Sequence, residues 1–330
     1  MSEPGCEAQA TIRRPPEAVL WDFLRGALMT RALAVVADAG IADALAGGPK
    51  DIAQLASEVG ADSDVLERLM NALASDGLFE RFDDGVFANT DASELLRDPA
   101  QRALAHLFGA VYYRAVAELD ATGAPPAFAR AHGTDLWHWL AENPTEREVF
   151  DRAMLNGVHA RAERLGRLQW RGDEVIVDIG GGDGSLLIEF LRDRLDMRGI
   201  VFDLPEAMHD DARLGDRIDF VAGSFFDRVP EGDAYILSAV LHDWDDEPAR
   251  AILDTIRRAA RERARVVIVD GVLEPRSPPV WRWADLHILA TLGGRERDET
   301  SWRRLLASGG FEPLSVGDGL IEARAISPAP

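Results

Sequence analysis

Val175-Ile176-Val177-Asp178-Ile179 is an almost uninterrupted apolar, β-branched run that ends directly against three glycines. A strand with one face in water alternates polar and apolar residues, whereas a run without alternation belongs to a strand covered on both faces, as in a parallel sheet between helices. Four further runs follow: Gly199–Asp203, Ile218–Val221, Ala234–Ser238 and Val266–Asp270. Helix-length segments separate several of them, notably Ser185–Arg194 and Pro248–Arg261. The pattern predicts a doubly wound α/β domain over residues 161–330. Open sheets of this kind bind ligands at the carboxyl ends of their strands, where the strand order reverses.

Residues 1–160 read differently, and a length of 330 residues suits two domains. A polar, Pro-rich tail (1–16) carries Cys6, the only cysteine. Glu17–Ala39 reads as two helices meeting near Gly26, apolar nearly all round, so they need covering by their own domain or by a second copy of the chain. Residues 41–90 have a helix-turn-helix-wing pattern: helices at Asp51–Val59 and Asp62–Ser75, then a hairpin through Asp83-Asp84-Gly85. Such a module can bind DNA, but Lys50 to Arg81 holds three basic residues against seven acidic ones, a net of −4. That balance repels phosphate and leaves a structural or dimerising role. Residues 101–165 are helical, interrupted near Gly123–Pro126 and Asn143-Pro144, with Trp137, Phe150 and Met154 either core or pocket wall.

Charge and cysteine usage exclude more. The chain has 36 Lys+Arg against 57 Asp+Glu, a net charge of −21, which argues against nucleic-acid and anionic-membrane partners. One cysteine gives neither disulfides nor a zinc cluster, and no metal site is expected. Without a signal peptide or a run of about 18 apolar residues, a soluble cytoplasmic protein is expected.

Asp178-Ile179-Gly180-Gly181-Gly182-Asp183-Gly184 follows a strand and opens a helix, where a sharp backbone turn exposes N–H groups to a ligand. The dinucleotide pattern G-x-G-x-x-G would require a third small residue at position 185, and Ser185 fits it only loosely. Asp203 ends the second strand 25 residues after Asp178, the position from which a carboxylate accepts hydrogen bonds from two ribose hydroxyls. The pair implies a nucleoside cofactor, nicotinamide or S-adenosyl. His242 follows the fourth strand, beside the crevice, with Asp245 or Asp246 placed to cap the next helix.

Together, L-H-D-W-D-D-E (241–247), D-I-G-G-G-D-G, D-L-P, G-S-F-F and G-G-R-E-R (293–297) resemble the class I S-adenosylmethionine-dependent small-molecule O-methyltransferases. That family includes plant caffeic acid and flavonoid enzymes and bacterial enzymes that decorate aromatic natural products. The resemblance implies a Rossmann-like methyltransferase domain preceded by a mostly helical winged-helix dimerisation domain, and a homodimer. It implies a cofactor site built from Asp178, Gly180, Gly182, Asp203, Leu204, Ser224, Phe225, Ser238 and Trp244. Ser224 stands where many relatives have Asp, and Ser238 where plant members have Lys. His242 is the implied general base, flanked by Asp270, in place of a plant Glu, and by Glu296. Met154, Trp137, Phe150, Asp243, His287 and Thr291 are the implied contacts to a small aromatic acceptor.

Methyl transfer from a sulfonium is an in-line displacement in which positioning supplies most of the acceleration. A phenol titrates near pH 10, so a neutral imidazole that takes its proton contributes typically 10²–10⁴-fold. A carboxylate on the other ring nitrogen fixes the tautomer. The expected activity is therefore O-methylation of a phenolic hydroxyl on a polyketide-like aromatic compound, without a metal. The alternatives are the same fold turned hydroxylase or decarboxylase, and a winged-helix regulator without catalysis.

Overall fold

The computed structural model describes residues 15–122, 125–207 and 216–326. Cys6 and His209 lie outside the described residues. Two compact units divide the chain, 1–97 and 98–330.

The first unit opens with one helix, α1 (Pro16–Asp38), where two were expected. Gly26 lies inside it: the hydrogen-bond ladder of 23 residues outweighs the roughly 1 kcal/mol that an interior glycine costs relative to alanine. Leu20, Trp21, Phe23, Leu24 and Leu28 on this helix are 60–74% exposed. The helix-turn-helix-wing forms as the sequence implies. It consists of α2 (Ile41–Ala44), β1 (Lys50–Asp51), α3 (Ile52–Val59), α4 (Ser63–Ser75), β2 (Phe79–Arg81), β3 (Val86–Asn89) and α5 (Asp91–Glu94). A capping box between Asp51 and Gln54 starts α3, and the Asp62 side chain caps α4. Leu55, Leu66 and Met70 from α3 and α4 are buried in one cluster with Phe79 and Phe87 of the small sheet β1-β3-β2.

The second unit begins with six helices, α6 (Pro99–Gly109), α7 (Val111–Ala117), α8 (Ala127–His132), α9 (Leu136–Glu142), α10 (Pro144–Met154) and α11 (Val158–Gly166). A domain boundary at 160/161 would detach them from the sheet, yet they pack as part of its unit. Their core of Leu107, Tyr112, Phe128 and Leu140 takes in Leu292 from far along the chain. The sheet elements then follow as β4 (Val175–Ile179), α12 (Ser185–Leu191), β5 (Arg198–Asp203), β6 (Ile218–Ala222), β7 (Gly232–Ser238), α13 (Asp246–Ala259) and β8 (Ala260–Val269). The unit closes with α14 (Pro279–Thr291), α15 (Glu299–Ser308), β9 (Phe311–Gly317) and β10 (Leu320–Ala325).

The strand order is β6-β5-β4-β7-β8-β10-β9; the first five are parallel, while β10 runs antiparallel to both its neighbours. The five expected strands all form, and β9 and β10 add an antiparallel pair to make the sheet mixed. Successive residues of β4 serve opposite faces, Val177 and Ile179 packing with α13 and α15 and Ile176 with α12. This double coverage is why the strand shows no polar alternation. From β4 the chain moves outward to β5 and β6 and returns at β7 on the other side, which opens a crevice above the ends of β4 and β7.

Candidate active site

The glycine loop lies at that crevice. The Gly180 N–H donates to the Phe202 carbonyl at 2.8 Å, tying the loop to the end of β5. Gly182 has φ of 56°, and a Cβ added to it would meet nothing within 4 Å, so the loop is bare where it faces the cavity. Its N–H donates to Asp203 Oδ2 at 2.8 Å, and the Leu204 N–H donates to Asp203 Oδ1 at 2.7 Å. Burial pushes the Asp203 carboxyl up, against the pull of these two N–H groups and of Arg147. Two of its roughly four lone-pair sites remain for a ligand.

A cavity of about 580 Å³ opens here, within the range of small-molecule sites. All nine residues expected to hold a cofactor line it: Asp178, Gly180, Gly182, Asp203 and Leu204 on one side of the sequence, Ser224, Phe225, Ser238 and Trp244 on the other. The aromatic rings of Phe225 and Phe226 meet edge to face at 4.9 Å, and Phe226 meets Trp244 the same way at 4.9 Å. Ser224 Oγ accepts from the Phe226 N–H at 3.2 Å and keeps its own proton to donate. Three buried polar atoms on this wall have no hydrogen-bond partner: Asp178 Oδ2, Ser238 Oγ and Arg161 Nε. Burial and the nearby Asp203 charge push Asp178 up to about 7, with Arg161 opposing them.

Of the residues expected to touch an acceptor, Trp137, Phe150, Met154, Asp243 and Thr291 line the same cavity. Trp137 and Phe150 meet edge to face at 5.7 Å. The Thr291 hydroxyl donates back to the His287 carbonyl at 2.8 Å, the usual way a helical threonine satisfies itself. His287 is not among the cavity-lining residues. Its ring stacks on Phe108 at 4.6 Å and meets the edge of Tyr112 at 4.7 Å, and burial holds it neutral, down at about 4.

His242 sits in a single 3₁₀ turn, Leu241–Asp243, after β7. The turn is reached through Ala239, whose φ of 55° is left-handed, a strained conformation typical of functional loops. Nδ1 of His242 lies 2.8 Å from Glu296 Oε1. Facing a carboxylate, Nδ1 is assigned as a donor, which leaves Nε2 as the nitrogen that accepts whenever the imidazole is neutral. Nε2 is 3.3 Å from Asp243 Oδ1. Asp270, which follows β8, is buried and makes no hydrogen bond to the imidazole, so it acts on the ring through its charge, while the Ala239 N–H draws its own pKa down. Burial works to lower the pKa of His242, but the Asp270 charge, the Glu296 hydrogen bond and Asp243 outweigh it and raise it to about 10.

The segment after α14 locks this turn. The Arg295 N–H donates to the His242 carbonyl at 2.9 Å. Gly294 leaves no room for a side chain, since an added Cβ would overlap the His242 carbonyl and lie 2.6 Å from the Asp243 carbonyl oxygen. Arg297 is 1% exposed and donates to the carbonyls of Leu241 (2.9 Å) and Trp244 (2.8 Å) and to Asp246 Oδ1 (2.9 Å). Asp285 accepts the Glu296 N–H at 2.8 Å. Asp285, Arg297, Arg161 and the Arg147–Asp151 pair on the cavity wall were not singled out from the sequence. Only Arg297 left a sign there, as the last letter of G-G-R-E-R. Among the described residues, no group of three or more His, Cys, Asp or Glu side chains is arranged so as to hold a metal ion.

Comparison with known proteins adds independent findings. Residues 113–312 match the model of an O-methyltransferase domain, and residues 21–98 match an O-methyltransferase dimerisation domain. The phenazine O-methyltransferase PhzM of Lysobacter antibioticus is 35% identical over 94% of this chain and 97% of its own. The crystal structure of LaPhzM superposes with a TM-score of 0.87 at 36% identity, covering 95% of this chain and all of that one. NcsB1 from neocarzinostatin biosynthesis, solved with S-adenosyl-L-homocysteine and 1,4-dihydroxy-2-naphthoic acid, superposes at 0.77 with 30% identity, over 90% of this chain and 96% of that one.

Proposed function

The chain belongs to the O-methyltransferase family, and from that premise we propose that it methylates a phenolic hydroxyl of an aromatic natural product with His242 as general base and no metal in the chemical step. It is an S-adenosylmethionine-dependent enzyme, and the cofactor supplies a methyl group activated on a sulfonium. The unpaired Asp178 Oδ2, Ser238 Oγ and Arg161 Nε suit the ammonium and carboxylate of its amino-acid end, and Asp203 suits its ribose. Trp137, Phe150 and Met154 supply apolar wall for an aromatic acceptor, in keeping with relatives named as phenazine and naphthoate O-methyltransferases.

The observation that carries the reading is the 2.8 Å contact of His242 Nδ1 with Glu296, which leaves Nε2 as the proton acceptor. Val240, Asp243 and Trp244 beside it in the chain line the cavity, whereas the imidazole itself does not; on this reading a bound ring reaches past them to bring its hydroxyl to Nε2. As oxygen attacks, Nε2 takes the proton and Glu296 stabilises the imidazolium that forms. Asp270 adds to that stabilisation through its charge. We include in this reading a homodimer formed through the exposed apolar face of α1, supported by the dimerisation-domain match. A cytoplasmic setting accords with one cysteine in 330 residues.

Incubation with isotope-labelled S-adenosylmethionine and a panel of phenolic phenazines, naphthoates and hydroxybenzoates, read by mass, tests the activity. Transfer of the label to a phenolic oxygen is expected, and transfer to none of the panel would remove the acceptor class. Asp203→Ala is expected to weaken S-adenosylmethionine binding by roughly 10–100-fold in calorimetry, through loss of charge-assisted hydrogen bonds to the ribose. Unchanged affinity would refute the ribose assignment.

A further inference from the structure

We propose that His242 and its three buried carboxylates form a proton store governed by ligand charge: the cluster gives up a proton to solvent when the cationic donor binds, and keeps it when the neutral thioether product binds. The inference rests on the reading of the cavity as the donor site and of His242 as the base.

The groups converge from separate parts of the sheet's edge. His242 and Asp243 lie on the turn after β7, Asp270 follows β8, and Glu296 follows α14. Asp243, Asp270 and Glu296 are 8%, 5% and 7% exposed. Glu296 Oε1 and Asp243 Oδ1 approach the two imidazole nitrogens at 2.8 and 3.3 Å. Both Asp270 oxygens and Glu296 Oε2 are buried without a hydrogen-bond partner.

The compensating charge from neighbouring elements comes from Arg297 and Arg161, both of which act on Asp270. The Arg297 guanidinium is committed to the Leu241 and Trp244 carbonyls and to Asp246. Asp285, from α14, holds the Glu296 N–H. His287, also from α14, is kept neutral by burial, and Tyr112, from α7, is kept protonated by burial and the Asp243 charge. On the cavity side stand Arg161, which also faces Asp178, and Asp178 itself. Three buried carboxylates therefore face one imidazole, and buried negative charge in such excess retains a proton. The direction of every shift agrees: His242 is raised, and burial pushes Asp243 and Asp270 up to about 7 and 6 against the pull of His242.

A protonated imidazole cannot accept the phenolic proton. A fixed positive charge entering the cavity, whose wall includes Asp243, supplies the carboxylates with a counter-charge and repels the one on His242. His242 then loses its proton to solvent and is ready to act as base. The chemical step restores the balance: the oxygen–methyl bond forms, the sulfur–methyl bond breaks with its electron pair left on sulfur, and the hydroxyl proton moves to Nε2. The positive charge leaves sulfur and reappears on imidazole, so the pocket's net charge is the same before and after the step. Reciprocity follows from linkage, and donor affinity must rise with pH wherever binding expels a proton.

Calorimetry of the full-length protein near neutral pH, in phosphate and in Tris, reads the proton count from the difference in ionisation heats. For S-adenosylmethionine the release is expected to approach one proton, with affinity tightening by up to about tenfold per pH unit. For S-adenosylhomocysteine it is expected to be near zero. His242→Gln subtracts protons exchanged by the ligand's own amine, and it should lose the release while still binding both ligands. Asp270→Asn, the milder change, should reduce the release. Equal proton counts for the two ligands, or a wild-type count in His242→Gln, would overturn the inference while leaving the donor site intact. Failure of both ligands to bind the wild-type protein would overturn the donor site with it.

Discussion

His242→Ala is expected to lower turnover on a phenolic acceptor by about 10²–10⁴-fold, the usual contribution of a positioned general base. Donor binding is expected to be at least as tight as in wild type, since the variant has no imidazolium proton to expel. The imidazole is not among the residues lining the cavity, and Asp203, the glycine loop and the Phe225–Trp244 wall do not depend on it for their hydrogen bonds. The mutation leaves Glu296 without its imidazole partner, so some loss of stability accompanies it. Separate measurement of kcat and of the donor dissociation constant distinguishes the two effects. Wild-type turnover in the variant would dismiss the base, and turnover falling only in proportion to donor affinity would reassign His242 to binding.

Gly294→Ala is expected to be the most damaging glycine-to-alanine change among the described residues. Its Cβ would overlap backbone atoms of His242 and Asp243, which cannot swing aside as a flexible side chain can. Relief requires the 3₁₀ turn and residues 293–297 to part, breaking the Arg295 and Arg297 hydrogen bonds to the turn. Losses above about 4 kcal/mol are the exceptional class that such backbone collisions produce. For a unit of this size that corresponds to a fall in Tm on the order of 10 °C, together with loss of turnover. Gly317→Ala is a suitable control, because its Cβ would meet nothing within 4 Å. If Gly294→Ala melted and turned over like wild type, the close packing of the two segments would be wrong.

Much of the sheet was legible because parallel strands covered on both faces leave an unmistakable record, an apolar run without alternation. Its last two strands left none. β9 carries Glu312, Pro313 and Ser315, and its burial does not alternate regularly, so nothing in the local sequence separates it from a loop. The single helix at Pro16–Asp38 was misjudged at Gly26 because propensity is local and the ladder is not. The six helices α6–α11 differ in composition from the sheet, but packing decides which unit they join, and Leu292 in their core is invisible to composition.

At the site, residues beside a strand end or a glycine turn could be read directly, as with Asp203 and His242. Glu296 came only through a likeness to known enzymes, because it reaches His242 across 54 residues of chain. Asp285 and Arg297 act on backbone groups, and the partners of a backbone hydrogen bond leave no mark on side-chain pattern. Arg161 shows its place only through an unpaired nitrogen at the cavity wall.

Arg297 ties the histidine's turn to a downstream strip of five residues, while the nucleoside pocket is shaped by β4, β5 and the loop between β4 and α12. On the proposed roles, the binding of the donor and the unloading of the nucleophile fall largely, though not at Trp244, to different stretches of polypeptide. On those roles, edits confined to the strip would retire or redirect the chemistry in a protein that still grips its methyl donor, a route from catalyst to sensor of the donor pool.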